Sequence, residues 1–182
     1  MTATLVLGGP CSGKSRHAVA LLARHPRVTV VSTRPAPAQE PEDSAPARSP
    51  EQHPAEWRTL ETLDLTHALL ASRHPVLIDD LSGWLQGLLD EDALADDPQR
   101  ARAFVEDRLD ELSVALRAMP FEVVTVSQDT SWVQVPQDPR ERLTLELLSH
   151  VNQRVSAASP HVYAVIGGRV LDLSRAPLLG SV

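Results

Sequence analysis

The chain has 182 residues, 42% of them apolar but only 3% aromatic, and carries a formal net charge of −7. That length suits a single domain spanning 1–182, and the apolar share supplies a core of Leu, Val, Ala and Ile, which excludes global disorder. The acidic balance without a basic run argues against a nucleic-acid partner, and no stretch reaches the roughly 18 consecutive apolar residues of a membrane span.

The chain opens with "MTATLVLGG", which has no charged leader before its apolar run, so no signal peptide is expected. Residues 4–8, "TLVLG", read as a short buried strand, and "KSRHAVALLARH" as a helix ended by Pro26. "RVTVVST" is a second buried strand, rich in β-branched residues. Residues 34–56 then change in texture, with prolines at 35, 37, 41, 46, 50 and 54 and almost no large apolar side chain. Such a stretch holds neither a continuous helix nor a central strand, and a mobile surface loop is expected.

Further along, "LDLTHALLASRH" is helical and "PVLIDDLS" is a strand running into polar residues. "GWLQGLLDEDAL" continues as a helix, with Asp80 suited to its N-cap, and Asp96, Asp97 and Pro98 open the next. "FEVVTVSQD" is another strand. Residues 138–158 form a long helix with Leu143, Leu147, Val151 and Val155 on one face. "HVYAVIGGRVLDL" reads as two strands joined at Gly167-Gly168, a hairpin signal. Strands alternating with helices predict an α/β fold with a mainly parallel sheet, helices on both faces and a C-terminal β-hairpin.

The chemistry begins at residues 8–15, Gly8-Gly9-Pro10-Cys11-Ser12-Gly13-Lys14-Ser15. This is the P-loop pattern in its confirming context, a strand before and a helix after. Glycines let the backbone wrap closely around phosphate oxygens with successive N–H groups turned inward. Lys14 adds a point charge for the β/γ-phosphates, and the Ser15 hydroxyl is a ligand for Mg²⁺. The metal's water shell calls for a carboxylate at the end of a neighbouring strand, and Asp79 is the first to emerge from "VLIDD". The pattern serves GTP and ATP alike. Cys11 is the single cysteine, which excludes an intrachain disulfide and a cysteine metal cluster, suits a reducing cytoplasm, and reads as a small residue tolerated in the loop.

Four stretches in order, "GGPCSGKSRHA", "HPAEWRTLE", "VLIDDLSGWLQGLL" and "HVNQRVSAASPHVYAVIGGRVLDL", resemble the bifunctional adenosylcobinamide kinase / adenosylcobinamide-phosphate guanylyltransferase family of cobalamin biosynthesis. The resemblance covers nearly the whole chain, and Trp57-x-Thr59-x-Glu61 and "VNQR" at 151–154 are its specific parts. It implies a P-loop fold, phosphorylation of the aminopropanol hydroxyl of adenosylcobinamide, and transfer of GMP from GTP onto that phosphate through a guanylylated histidine. It also implies a homotrimer. By the same resemblance Ser32, Thr33, Glu61 and Asp79 join the P-loop as nucleotide or metal contacts.

The chain departs from the family at particular places. The nucleophilic histidine belongs eight residues before Trp57, and that residue is Ser49. His53, the nearest histidine, stands where the family has arginine, and it substitutes as nucleophile only if the loop refolds by about one helical turn. After the later strand, an Asn-Glu pair and a glycine-rich turn are replaced by "SQDTSWVQVP", with Gln128 and Asp129 as stand-ins and Ser131-Trp132 filling the turn. Gly87 replaces an asparagine. His17 reads as packing rather than catalysis, and His25, His67, His74, His150 and His161 suit caps and surface, with no zinc-like spacing.

The leading reading is a nucleotide-dependent adenosylcobinamide kinase with family-derived guanylyltransferase activity. A non-catalytic nucleotide-binding relative with a decayed substrate loop competes with it, as does a P-loop kinase of another small alcohol.

Overall fold

The computed structural model describes residues 3–33 and 53–179. The elements run β1 (Ala3–Gly8), α1 (Lys14–Leu22), β2 (Thr29–Ser32), β3 (Arg58–Glu61), α2 (Leu65–Ala71), β4 (Val76–Asp79) and α3 (Leu81–Glu91). After a short 3₁₀ turn come α4 (Pro98–Ala118), β5 (Val123–Gln128), α5 (Pro139–Ala158), β6 (His161–Ile166) and β7 (Arg169–Asp172). The strands form one sheet in the order β3-β2-β4-β5-β1-β6-β7. Every pairing is parallel except β6 with β7. The expected α/β fold with its C-terminal hairpin is the one observed.

Alternation along the central strands decides what each face meets. Val6, Val30, Leu77, Val124 and Val126 point to the side covered by α1, where Ala18 and Leu22 pack on them. Leu5, Val31, Ile78 and Val123 point to the other side, where α2, α3, α4 and α5 supply most of the core. Both faces are covered, so these strands read as unbroken apolar runs rather than alternating ones.

The helix starts follow from capping chemistry. Asp80 accepts from the Gly83 N–H at 2.6 Å and Asp97 from the Arg100 N–H at 3.0 Å, each satisfying an N-terminal donor that the helix itself leaves free. On α5, Leu143, Leu147, Val151 and Val155 are all buried, as their spacing predicts. The hairpin turn places Gly167 and Gly168 at φ of 57° and 73°, a left-handed pair that glycine adopts without steric cost.

One strand escapes the sequence reading. β3 is only four residues long, "RTLE", with three of them exposed at the sheet edge. It shows no apolar run, and only pairing with β2 makes it a strand. Of the proline-rich stretch 34–56, residues 34–52 lie outside the described residues, so the expected mobile loop is not addressed there, and Ser49 falls among them.

Candidate active site

The parallel strands deliver a row of polar residues to their carboxyl ends, where open α/β sheets bind ligands. Ser32 stands in register with Glu61 on one side and Asp79 on the other, and Gly8 pairs with Gln128. The sequence-derived residues Gly8–Ser15, Ser32, Thr33, Glu61 and Asp79 therefore share one edge of the sheet.

The loop from β1 to α1 is shaped by its glycines. A Cβ on Gly8 would lie 3.0 Å from the Val165 carbonyl oxygen and closer still to the Ser12 hydroxyl, so no larger residue fits. Gly13 caps α1 at φ 90°. Ser12 N–H donates to the Gly9 carbonyl at 3.3 Å and Asp129 N–H to the Gly8 carbonyl at 3.1 Å, which ties the loop to itself and to the end of β5. Cys11 is exposed on the loop at φ 55°. Pro10 and Cys11 thus form the outer lip, and Gly13, Lys14 and Ser15 the floor.

Lys14 is buried, and among the described residues its ammonium reaches only the Gly9 carbonyl, at 3.4 Å. Among the described residues no carboxylate pairs with it. A buried cation with one weak acceptor is costly unless an anion completes its shell. The Ser12 hydroxyl is also buried, with no hydrogen-bond partner among the described residues. Both atoms fit a loop whose remaining partner is a phosphate chain.

Ser15 Oγ donates to Asp79 Oδ1 at 3.4 Å, joining the first turn of α1 to the end of β4. Two hard oxygens side by side, next to a phosphate cradle, suit Mg²⁺, which keeps waters and phosphate oxygens as its other ligands. Among the described residues no group of three or more His, Cys, Asp or Glu could hold a metal by itself. The Asp79–Asp80 peptide is cis, and Thr33 Oγ1 donates to the Asp80 carbonyl at 2.7 Å. Thr33 is buried and fixes the strand ends behind the site.

Beside the cradle, between α3 and α5, opens a cavity of about 760 Å³. Ser32, Thr33, Glu61 and Gln128 line its sheet side, and Gln86 and Leu148 its helical walls. Gly87 also lines it, and a Cβ there would fall 2.8 Å from the Leu63 side chain, so Leu63 fills the space a larger residue would need. The cradle and the cavity are neighbours across the same strand ends.

His53 is not brought to this edge. It precedes β3, at the amino ends of the strands, and its ring lies parallel to the Trp57 indole with centroids 6.2 Å apart. Its two nitrogens face the Pro54 carbonyl at 3.3 Å and Thr59 Oγ1 at 3.4 Å. Four strand spacings and the length of a strand separate it from Lys14 within one chain, a distance on the order of 20 Å. Trp57 explains its own place in the signature. It is buried and donates to the His25 carbonyl at 3.2 Å, anchoring the amino end of β3 so that Glu61 arrives at the other.

Residues 4–173 match the family model described as cobinamide kinase / cobinamide phosphate guanyltransferase. The chain belongs to that family. The "bifunctional adenosylcobalamin biosynthesis protein CobU" of Salmonella typhimurium is 33% identical over 178 residues, covering 90% of this chain and 95% of the relative. The protein of the same description from Escherichia coli is 30% identical over 177 residues, and the corresponding CobP of Pseudomonas aeruginosa is 31% identical over 182, covering 96% of this chain. Among solved structures, the P4 protein of bacteriophage phi6 in complex with ADP aligns with 93% of this chain and 52% of its own, at TM-score 0.40 and 14% identity, too distant to bear on function. Family membership makes the chain an enzyme of a kinase and guanyltransferase lineage.

The structure also shows what the "VNQR" stretch does. Asn152 is buried, and its amide donates to the Gln128 carbonyl at 2.9 Å, fixing the strand end that is paired with Gly8. Arg154 pairs with Glu106 and Asp110 and so joins α5 to α4. The helical spacing already put Asn152 beside the apolar residue Val151. Its partner was beyond sequence reasoning, because a backbone carbonyl leaves no mark in the residue types.

Proposed function

We propose that the chain phosphorylates the aminopropanol hydroxyl of adenosylcobinamide, with Mg²⁺ and GTP or ATP in the cradle and the acceptor entering from the neighbouring cavity. The observation that carries this reading is the buried Lys14 ammonium, which has no carboxylate partner among the described residues, in the same turn as the Ser15–Asp79 pair. Ser15 and Asp79 would be the residues to hold Mg²⁺, which when bound would supply neutralisation of negative charge at the phosphates.

The chain's own residues do the rest by position. Gly8, Gly9 and Gly13 let the loop N–H groups approach the phosphates, and Pro10, Cys11 and Ser12 complete the turn between them. The N-terminus of α1 adds its partial positive charge. Lys14 draws the β/γ-phosphates to one place. Ser15 and Asp79 would hold the metal at the edge of the cradle. Ser32, Thr33 and Glu61, at the adjacent strand ends, stand where the cradle meets the cavity and would contact the nucleotide from that side. Catalysis of this kind rests on alignment and charge and requires no covalent protein intermediate.

The second family reaction, GMP transfer to adenosylcobinamide phosphate, needs an imidazole in line with the α-phosphate. Ser49 at the family position and His53 at the far corner of the sheet argue against a guanylylated histidine supplied by this chain's own loop. A non-catalytic nucleotide-binding relative would share the Ser15–Asp79 pair and Lys14, and it is membership of a kinase and guanyltransferase family that favours the kinase. We further infer a homotrimer by family resemblance, to which the exposed Val170, Leu171 and Leu173 on the edge hairpin lend support. We infer a cytoplasmic location, with which a single cysteine is in keeping. No described helix is long and apolar enough to cross a membrane. Transfer of labelled γ-phosphate from nucleotide to adenosylcobinamide tests the reading directly.

A further inference from the structure

The segment between β5 and α5 is fixed at both ends and apolar in the middle. At its start, the Ser131 N–H donates to Asp129 Oδ1 at 3.0 Å and the Ser149 hydroxyl donates to Thr130 Oγ1 at 2.8 Å. At its end, the Arg142 guanidinium donates to the Pro136 carbonyl at 3.2 and 3.3 Å and to the Gln137 carbonyl at 3.3 Å. Between these anchors Trp132 is 85% exposed and Val135 60% exposed, with Val133 beside them. The other two tryptophans, Trp57 and Trp84, are 4% and 2% exposed. An indole left in water on a pinned loop adds nothing to the folded state, whereas it gives a ligand a broad, rigid apolar face at little entropic cost.

The position of the segment says which ligand. Thr130, two residues before Trp132, and Pro136, four residues after it, both line the cavity beside the phosphate cradle. That cavity, at about 760 Å³, is of a size that holds a drug-sized molecule. The acceptor in the proposed reaction is far larger, a flat corrin macrocycle ringed by amide arms, of which only the alcohol arm has to reach the transferred phosphate. Most of the macrocycle must therefore rest outside. Around the cavity, Gln86, Gln128, Asp90 and Glu141 offer acceptors for amide N–H groups.

We propose that Trp132, with Val133 and Val135, is a docking platform for the corrin macrocycle, outside the cavity through which the alcohol arm reaches the cradle. The proposal rests on the kinase reading for the identity of its ligand.

Equilibrium dialysis of cobinamide against the full chain tests it apart from turnover, with Trp132→Ala and Trp132→Phe compared to wild type and size exclusion run on each. Trp132→Ala is expected to bind cobinamide about tenfold more weakly, Trp132→Phe to recover most of that loss, and both to keep wild-type nucleotide affinity and elution volume. In the kinase assay the same loss is expected in KM for the corrinoid, with kcat within about twofold. Equal cobinamide affinity in wild type and Trp132→Ala overturns the platform, as does a change of elution volume with corrinoid binding intact, which makes Trp132 a subunit contact. Binding that depends on Trp132 without any phosphate transfer by wild type sustains the platform and refutes the kinase instead.

Discussion

Ser15 Oγ on the first turn of α1 lies 3.4 Å from Asp79 Oδ1 at the end of β4, although 64 residues separate them in sequence. The contact exists because β1 and β4 flank β5 in a parallel sheet, so the loop leaving one strand faces the tip of the other. In the proposed reading it makes the loop a site for a metal–nucleotide complex. Asp79→Asn keeps the acceptor oxygen but removes the charge. We expect it to lower kcat by about 100-fold with little change in thermal stability. Mg²⁺ titrations of the two proteins check this, and identical rates at all Mg²⁺ concentrations would count against the metal role.

Cys11 is exposed on the outer lip of the loop, and no other cysteine competes for reagent. A bulky maleimide on Cys11 should therefore block nucleotide binding, and saturating Mg-GTP or Mg-ATP should slow the modification. Equal labelling rates with and without nucleotide would mean that the thiol lies clear of the bound phosphates.

His17 packs edge-to-face on Tyr163 with ring centroids 5.6 Å apart, and its Nε2 is buried with no partner among the described residues. Burial pushes its pKa below the ordinary histidine value, because the charged ring loses hydration. Between the folded and unfolded pKa the unfolded chain binds the extra proton. Stability therefore falls as pH drops through the unfolded value of about 6.5, and levels off below the folded one. His17→Phe removes that component. Urea unfolding at pH 7.5 and pH 5.5 should show a smaller acid loss for the variant than for wild type, and an equal or larger loss would contradict the assignment.

Intact-mass spectrometry after incubation with GTP addresses the relay. A histidine–GMP phosphoramidate is acid-labile, and the chain has Ser49 where that histidine belongs. Serine without an adjacent base is a poor nucleophile. We expect no GMP adduct on the wild-type chain. An acid-labile adduct that disappears in His53→Ala would give His53 the nucleophile's role after all, by way of a loop or subunit arrangement that carries it to a cradle.

Much of this fold is legible in the residues because its signals are local. The buried strands "TLVLG" and "FEVVTVSQD" announce themselves by apolar runs, and Asp80 and Asp97 sit directly ahead of the helices they cap. The phosphate cradle is legible for the same reason, since Gly8, Gly13, Lys14 and Ser15 lie within one loop. β3 was not, because a four-residue edge strand is defined by its neighbour β2 rather than by its own side chains. Nor was the link from Asn152 to the Gln128 carbonyl, or the cavity between α3 and α5. Both arise from packing between elements far apart in sequence.

The most direct test of the account is transfer of γ-³²P from GTP or ATP to adenosylcobinamide by wild type and Lys14→Ala, with circular dichroism and calorimetric nucleotide titration on both. The account predicts a labelled corrinoid phosphate with wild type, and with Lys14→Ala a native spectrum, lost nucleotide affinity and no labelled product. Unchanged affinity and transfer in a folded Lys14→Ala, or no transfer by wild type, would contradict it.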